Sequence, residues 1–163
     1  MNIIMSGLDY GLAPVSLRER LSFNGVKAGE AAAHIMNSDP DILGCVVLST
    51  CNRTEIYLSC RDEADPDPAA CLCREAGQDG EDFAYAFVTR WGEECVEHLG
   101  RVAAGLRSQI WGEDQIVSQV KTAIRLARDA HAADGVLETV FRTAVTAAKE
   151  IKSTVRLTAN STS

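Results

Sequence analysis

The chain has 163 residues, of which 46% are hydrophobic and 24% charged, and its formal net charge is −7 at pH 7. This length and composition are typical of one globular domain and exclude a disordered, collagen-like or membrane-embedded chain. The first residues lack the basic start and apolar run of a signal peptide, so the sequence predicts a cytoplasmic protein. The acidic balance also counts against a strongly basic nucleic-acid module.

The six cysteines are expected to be free thiols, because no export signal precedes them and the cytosol is reducing. Cys71 and Cys73 are the only close pair, and this spacing without a second Cys or His pair is poor for zinc. The sequence therefore predicts no metal site and mostly small, buried cysteine side chains.

The first half of the chain alternates between strand-like and helix-like patterns. Residues 44–49 form a continuous apolar run, which is typical of a strand buried on both faces, whereas residues 54–59 alternate as a half-exposed strand does. The predicted elements in chain order are a strand over 2–8, a helical turn over 16–21, a helix over 27–37, strands over 44–49 and 54–59, a helix over 65–77 and a strand over 83–88. This β-α-β-β-α-β order predicts an α+β fold, the split-βαβ (ferredoxin-like) antiparallel sheet with two helices covering one face.

The second half of the chain is predicted to be entirely helical. Apolar residues recur at helical spacing over 93–106 and 113–132. A last helix has its apolar face from Leu137 onward, with Asp134 as its N-cap, and the polar residues 158–163 are expected to be a tail or linker.

Cys51 differs from the other thiols because it lies in a short polar connection, Thr50 to Arg53, between the strands predicted over 44–49 and 54–59. A guanidinium two residues away and nearby turn amides favour thiolate over thiol, and a strand–turn junction presents a nucleophile rigidly. From these residues alone three interpretations stay open: a catalytic nucleophile, an ordinary loop cysteine, and a redox-sensing thiol.

Two further segments carry weaker signals. His98 lies on a mostly apolar helix, where a single histidine is more often a core residue than a catalytic group. Residues 108–119 are interpreted as a loop entering a helix, with Glu113 and Asp114 suited to the positive helix N-terminus. The spacing of residues alone favours a structural role for both segments over a catalytic or binding role.

The segment 49–57, Ser-Thr-Cys-Asn-Arg-Thr-Glu-Ile-Tyr, resembles the signature of the glutamyl-tRNA reductase family. The resemblance covers almost the whole chain, through ordered blocks at the family's spacing. These blocks are Ala13-Pro14-Val15 with Arg18-Glu19, His98-Leu99 with residues 102–106, and Ser108, Gly112-Glu113, Gln115-Ile116 and Gln119-Val120-Lys121.

The resemblance implies an NADPH-dependent oxidoreductase that acts on glutamyl-tRNA in tetrapyrrole (5-aminolevulinate, porphyrin) biosynthesis. A cysteine thiolate would attack the glutamyl ester to give a thioester, and hydride from NADPH would reduce it to glutamate-1-semialdehyde. The implied catalytic residues are Cys51 and His98. The implied substrate-binding residues are Thr50, Asn52, Arg53, Ser108, Glu113, Asp114, Gln115 and Gln119.

The family enzyme is longer than this chain, since it continues into an NADPH-binding Rossmann domain and a dimerisation domain on a long spine helix. The resemblance therefore implies that residues 1–157 are the N-terminal catalytic domain, with a βαββαβ part over 1–90 and a helical part over 91–157. It also implies a homodimer and a possible hand-over of the product to glutamate-1-semialdehyde aminomutase. The alternative is a non-catalytic ligand- or RNA-binding split-βαβ module.

The net negative charge of the chain comes from one stretch of the sequence. Residues 61–97 contain 11 Asp and Glu against 3 Arg, whereas the other residues contain 12 acidic and 13 basic side chains. We therefore expect tRNA to approach from the side of Arg53, Arg101 and Arg107, away from the acidic stretch.

Overall fold

The computed structural model describes residues 2–108 and 115–161, with side chains through residue 154. The βαββαβ part contains four strands and three helices: β1 (Asn2–Asp9), α1 (Val15–Arg18), α2 (Val26–Ser38), β2 (Ile42–Ser49), β3 (Arg53–Cys60), α3 (Pro68–Glu75) and β4 (Val88–Trp91). Short 3₁₀ helices follow α1 at Glu19–Leu21 and α3 at Gly80–Phe83. The helical part contains α4 (Glu93–Ala103), α5 (Gln115–Asp129) and α6 (Gly135–Ser161).

The four strands form one sheet in the order β2-β3-β1-β4, and every neighbouring pair is antiparallel. The two central strands, β1 and β3, pair along their whole length, from Asn2 opposite Cys60 to Asp9 opposite Arg53. This strand order is the split-βαβ arrangement, so the predicted fold class is confirmed.

The predicted position of the fourth strand, 83–88, is wrong, because β4 begins only at Val88. Phe83 instead ends a 3₁₀ helix and is fully buried in a small second core with Leu8 and Leu21. Asp79 caps this turn by accepting a hydrogen bond from the amide of Glu81 at 3.0 Å. Phe83, Ala86 and Phe87 therefore pack in a core beneath a turn and do not define a strand.

The sheet is covered on both faces, whereas the sequence predicted helices on one face only. β3 is buried at every position, so its predicted half-exposed character is wrong. The second face is occupied by the helical part of the chain: Phe141 of α6 packs edge-on against Tyr57 of β3, with ring centroids 5.3 Å apart. Such an aromatic pair contributes about 0.5–1.5 kcal/mol beyond its buried area.

The helix ends follow the capping residues in the sequence. The side chain of Asp67 accepts a hydrogen bond from the amide of Ala70 at 3.1 Å, and α3 begins at Pro68 and not at the predicted residue 65. Asp134 caps α6 as predicted, through the amide of Leu137 at 3.0 Å. α6 continues to Ser161, so most of the segment expected to be a polar tail is helical.

Neither a membrane span nor a metal cluster is found in the described ranges. No helix within residues 2–108 and 115–161 has both the length and the apolar character that a bilayer requires. The same residues contain no group of three or more His, Cys, Asp and Glu side chains that could hold a metal ion.

Candidate active site

Cys51 lies at the tip of the hairpin that joins β2 and β3. The hairpin is closed by the amide of Thr50, which donates to the carbonyl of Arg53 at 2.9 Å. The hydroxyl of Thr50 accepts from the amides of Asn52 and Arg53 at 3.2 and 3.3 Å, which orients the turn. Tyr10 holds the same tip from the side, because its amide donates to the carbonyl of Asn52 at 2.9 Å. The thiol is therefore presented from a hydrogen-bonded turn between β2 and β3.

Cys51 is the exposed cysteine among the six, and the other five are buried. Burial raises the pKa of the Cys45 thiol well above its ordinary value and raises that of Cys95 to about 12. Burial likewise raises the pKa of Cys60, Cys71 and Cys73. Since the thiolate is the nucleophile, the five buried cysteines are poorly suited to nucleophilic chemistry at neutral pH.

Cys51 and Thr50 line a cavity of about 330 Å³ beside the hairpin. The opposite wall comes from α1 and the segment that follows it, including Arg18 and Asn24. This segment is held against β2, because the hydroxyl of Ser49 accepts a hydrogen bond from the amide of Phe23 at 2.9 Å. The nucleophile candidate therefore opens into a cavity that also contains charged and polar side chains.

Behind the hairpin, the buried carboxylate of Glu55 connects three side chains. Oε2 of Glu55 lies 2.5 Å from Nε2 of His98 and 3.3 Å from Nη1 of Arg53. Its second oxygen accepts a hydrogen bond from the hydroxyl of Tyr57 at 2.9 Å. Arg53 is only 2% exposed, and its other terminal nitrogen donates to the carbonyl of Arg107. Strand β3 is thereby connected to α4 and to the segment after it.

The charges of this network stabilise one another. Burial alone would raise the pKa of Glu55, but the hydrogen bond and charge of His98, with Arg53 and Tyr57, outweigh burial and lower that pKa to about 2. Burial and the neighbouring Glu55 carboxylate raise the pKa of Tyr57 well above its ordinary value. Glu55 is therefore ionised and Tyr57 is a neutral donor across the physiological pH range.

His98 is buried, as the residue-based interpretation expected, but it is also part of this polar network. Its Nδ1 is buried and has no hydrogen-bond partner among the described residues. His98, Glu55 and Arg107 line a small cavity of about 40 Å³, and His98 is not among the residues that line the cavity of Cys51. The structure thus connects His98 to Arg53 through Glu55, without placing it beside the thiol.

Of the other predicted site residues, two lie near the end of β2. Gln115 and Gln119 lie on α5 and line a groove of about 220 Å³ that also includes Ser49, two residues before Cys51. Ser108 follows Arg107, and its amide donates to the carbonyl of Gly105 at 3.3 Å. Glu113 and Asp114 lie outside the described residues.

Gly7 of β1 lies opposite Glu55, and a Cβ at this position would meet Cγ of Glu55 at 2.7 Å. The Glu55 side chain is fixed by three partners and cannot move aside. We therefore expect Gly7→Ala to destabilise the fold by about 2 kcal/mol. Urea unfolding measures this loss. Gly80→Ala is the matched control, because a Cβ there meets nothing within 4 Å, and its stability should change by less than about 0.5 kcal/mol. Equal stability of both variants would contradict the packing argument.

The sequence alone indicated no role for Glu55 and did not predict that Arg18 is buried. A charged residue inside a predicted strand, opposite a glycine that leaves room for it, is the signal that indicates Glu55. Arg18 is 8% exposed, and its burial follows from the packing of a four-residue helix that no periodicity could show.

Comparisons with known proteins give one consistent result. The family model described as glutamyl-tRNAGlu reductase, N-terminal domain, matches residues 6–155. Glutamyl-tRNA reductases of Acetivibrio thermocellus and Alkaliphilus oremlandii are each 46% identical over 157 residues, which are 96% of this chain and 47% of each relative. The chain thus spans about half the length of these relatives. The solved structure of glutamyl-tRNA reductase from Methanopyrus kandleri matches 91% of this chain and 33% of its own, with a TM-score of 0.73 and 32% identity.

Proposed function

Since the chain belongs to the family of glutamyl-tRNA reductase N-terminal domains, we propose that it carries out the acyl-transfer half of glutamyl-tRNA reduction, with Cys51 as the nucleophile. The observation that carries this proposal is the position of Cys51. It is the exposed thiol of the six, on a hydrogen-bonded hairpin tip that opens into a cavity large enough for an amino-acid side chain.

In the proposed step, the Cys51 sulfur attacks the carbonyl carbon of the ester that joins glutamate to the tRNA. The tetrahedral oxyanion collapses, the bond between this carbon and the ribose oxygen breaks, and that oxygen takes up a proton. The products are a glutamyl thioester on Cys51 and free tRNA. Thr50 and Asn52 flank the thiol and would border the acyl group, and Gln115 and Gln119 line the neighbouring groove.

The network around Glu55 supports the hairpin from behind. Arg53 leaves the hairpin as the first residue of β3, and Glu55 and the Arg107 carbonyl fix its guanidinium. We propose that Glu55 is a positioning residue, which holds Arg53 and His98 in place. His98 remains a predicted catalytic residue, and Arg53 and Ser108 remain predicted substrate contacts.

The reduction step needs NADPH, and this chain does not fit that cofactor. Dinucleotide-binding folds hold the pyrophosphate of NADPH with a glycine-rich turn between a strand and a helix. No two glycines of the sequence are separated by a single residue, so no G-x-G turn exists. We propose that NADPH binds in the part of the longer relatives that this chain does not match. Dimerisation and product hand-over to an aminomutase remain predictions for that longer protein.

The proposed acyl transfer is tested with tRNA that carries labelled glutamate. Incubation with the chain should give protein-bound label that resists denaturation and is released by hydroxylamine, as a thioester is. Labelled tRNA with an amide-linked glutamate is the matched control and should leave the protein unlabelled. A well-folded chain that acquires no label would overturn the proposal and favour a ligand- or RNA-binding module.

The charge distribution gives a separate expectation for the tRNA body. Arg107 is exposed near the predicted substrate contacts, whereas Arg74 lies on α3 in the acidic stretch 61–97. Arg107→Glu should weaken tRNA binding about tenfold at low salt, and Arg74→Glu should change it less than twofold. Filter binding with uncharged tRNA at several salt concentrations measures both. A larger effect of Arg74→Glu would show that tRNA approaches from the other side.

A further inference from the structure

A groove of about 340 Å³ lies between α5 and α6 and is called the α5–α6 groove below. Apolar side chains of both helices contribute to its lining, among them the buried Ile124 and Phe141. Its charged lining consists of four exposed basic side chains and one carboxylate, which are Lys121, Arg128, Arg142, Lys149 and Glu138. The groove therefore presents an excess of positive charge to solvent.

The two helices that form the groove are basic, although the chain as a whole is acidic. α5 contains three basic residues and one acidic residue, and α6 contains four basic and two acidic residues. The net charge of the whole chain is −7. A local concentration of positive charge on an acidic protein attracts a polyanion to that surface.

One of the four basic side chains in the groove is already neutralised by the protein. Nε and a terminal nitrogen of Arg128 donate to the two carboxylate oxygens of Glu138 at 2.7 and 2.8 Å. Within residues 2–108 and 115–154, no carboxylate forms an ion pair with Lys121, Arg142 or Lys149. Three cations of the groove thus lack a counter-ion from the described part of the chain.

Lys121 of α5 and Lys149 of α6 interact with each other across the groove. The charge of Lys149 lowers the pKa of the Lys121 ammonium. Two like charges held close together repel each other, and an anion between them replaces this repulsion with two attractions. The pair therefore indicates an anionic group as the ligand of the groove.

Helix α5 connects this groove with the candidate active site. Gln115 and Gln119, at the start of α5, line the groove that includes Ser49, two residues before Cys51. Lys121 follows on the side of the same helix that borders α6. The six residues from Gln115 to Lys121 rise by about 9 Å along the helix. A single large ligand can therefore contact both places.

We propose that the α5–α6 groove binds phosphate groups in the backbone of the tRNA whose glutamyl group Cys51 accepts. Lysine and arginine side chains neutralise backbone phosphates, and the release of counter-ions supplies the sequence-independent part of nucleic-acid affinity. The inference rests on the proposed function, because it adds a contact for the tRNA body away from the reacting ester. It also adds a second basic surface to the one expected around Arg107.

Filter binding of uncharged tRNA at several salt concentrations tests the groove. Replacing both lysines, by Lys121→Gln and Lys149→Gln together, should weaken binding about tenfold at low salt. The slope of log affinity against log salt concentration should fall by about 1 to 2, because one or two phosphate contacts are lost. An affinity within twofold of the unchanged chain, with an unchanged slope, would overturn the proposal.

The matched control removes two positive charges elsewhere, by Arg61→Gln and Arg125→Gln together. Both arginines are exposed, each lies within 4.0 Å of a carboxylate, and neither lines the groove. Binding should change less than about twofold and the salt slope should stay the same. An effect as large as that of the lysine pair would show a response to net charge alone and would overturn the proposal.

A footprint of the unchanged chain tests the groove without any substitution. Saturating uncharged tRNA should slow the acetylation of Lys121 and Lys149 by a water-soluble acylating reagent, because a phosphate covers both amines. Mass spectrometry of the two peptides gives the rates. Equal rates with and without tRNA at both lysines would overturn the proposal.

Two substrates separate the tRNA body from the reacting ester. For glutamyl-tRNA, the double lysine variant should raise KM about tenfold and leave kcat unchanged, because the lost contact is remote from the chemistry. Transfer from glutamyl-adenosine, which has the ester but no tRNA body, should be the same in both chains. Slower transfer from glutamyl-adenosine in the variant would contradict a phosphate contact.

The proposed function and the groove fail in distinguishable ways. If tRNA binding depends on the two lysines but glutamyl-tRNA leaves no adduct, the proposed function fails and the groove stands. If the adduct forms but tRNA binding does not depend on the lysines, the groove fails and the proposed function stands. If the lysine changes alter self-association of the chain and not tRNA binding, the groove is a contact between copies and the proposal fails.

Discussion

Cys51→Ser should lower the rate of glutamyl transfer to the protein by at least about a thousandfold, because a hydroxyl is a far weaker nucleophile than a thiolate. The substitution is isosteric and falls on an exposed hairpin tip, so the free energy of unfolding should stay within about 0.5 kcal/mol. Label incorporation from glutamyl-tRNA and urea unfolding measure these two quantities separately.

The matched control for this variant is Cys71→Ser. Cys71 is the least buried of the other five cysteines, at 9% exposure on α3. This variant should keep its transfer rate within about twofold once folded. Transfer that survives in Cys51→Ser, or that is lost in both variants, would remove Cys51 from the role of nucleophile. Survival of tRNA binding alone in Cys51→Ser agrees with both the catalytic and the binding-module hypothesis, so the transfer rate is the quantity that separates them.

Glu55→Gln should destabilise the fold by about 3–5 kcal/mol, because it leaves the buried Arg53 without its counter-ion. The same change removes the charge that holds His98 at 2.5 Å. Acyl transfer should therefore fall even under conditions where the variant remains folded. Urea unfolding at pH 7 measures the first effect, and label incorporation at low temperature measures the second. Glu19→Gln is the control, since Glu19 is exposed and has no described contact with the network; its stability should change by less than about 0.5 kcal/mol.

The pH dependence of stability follows from the same carboxylate. The pKa of Glu55 is about 2 in the folded chain, against an ordinary value of 4.5, so folding favours the ionised form. The contribution of the Glu55 carboxylate to the free energy of unfolding is fully present above pH 4.5. It is lost as the pH falls from 4.5 toward 2, by about 3 kcal/mol in all. Unfolding free energies measured between pH 7 and 2 should show this loss in the unchanged chain and less of it in Glu55→Gln. Equal losses in both would contradict the assignment.

The sequence predicts most of the sheet because its signals are local. The apolar run before Cys51 and the alternation after it define β2 and β3 to within two residues, and the polar residues between them define the hairpin. The position of β4 is not predicted by the local pattern. The apolar Phe83 packs in a second core beneath a 3₁₀ helix and is not part of a strand. Which core an apolar side chain fills is decided by long-range packing, which a local pattern does not contain.

The candidate site likewise contains features that the local sequence indicates and features that depend on tertiary contacts. Cys51 stands out in the sequence, since a thiol in a polar turn is chemically distinct from thiols in apolar strands. The role of Glu55 depends on Gly7 across the sheet and on His98 of α4, which are 48 and 43 residues away. The burial of Arg18 depends likewise on how α1 packs. Such partnerships arise from tertiary structure, and for His98 and residues 108–119 only the family resemblance indicated function.

The most direct measurement of the central claim is the position of the acyl group after a single turnover. The chain is mixed with glutamyl-tRNA, quenched in acid, digested and mapped by mass spectrometry. The proposed mechanism places a glutamyl group on the peptide that contains Cys51, removable by hydroxylamine, and on no peptide that contains another cysteine. A glutamyl group on a different residue, or unmodified peptides from a chain that has released the tRNA, would contradict it.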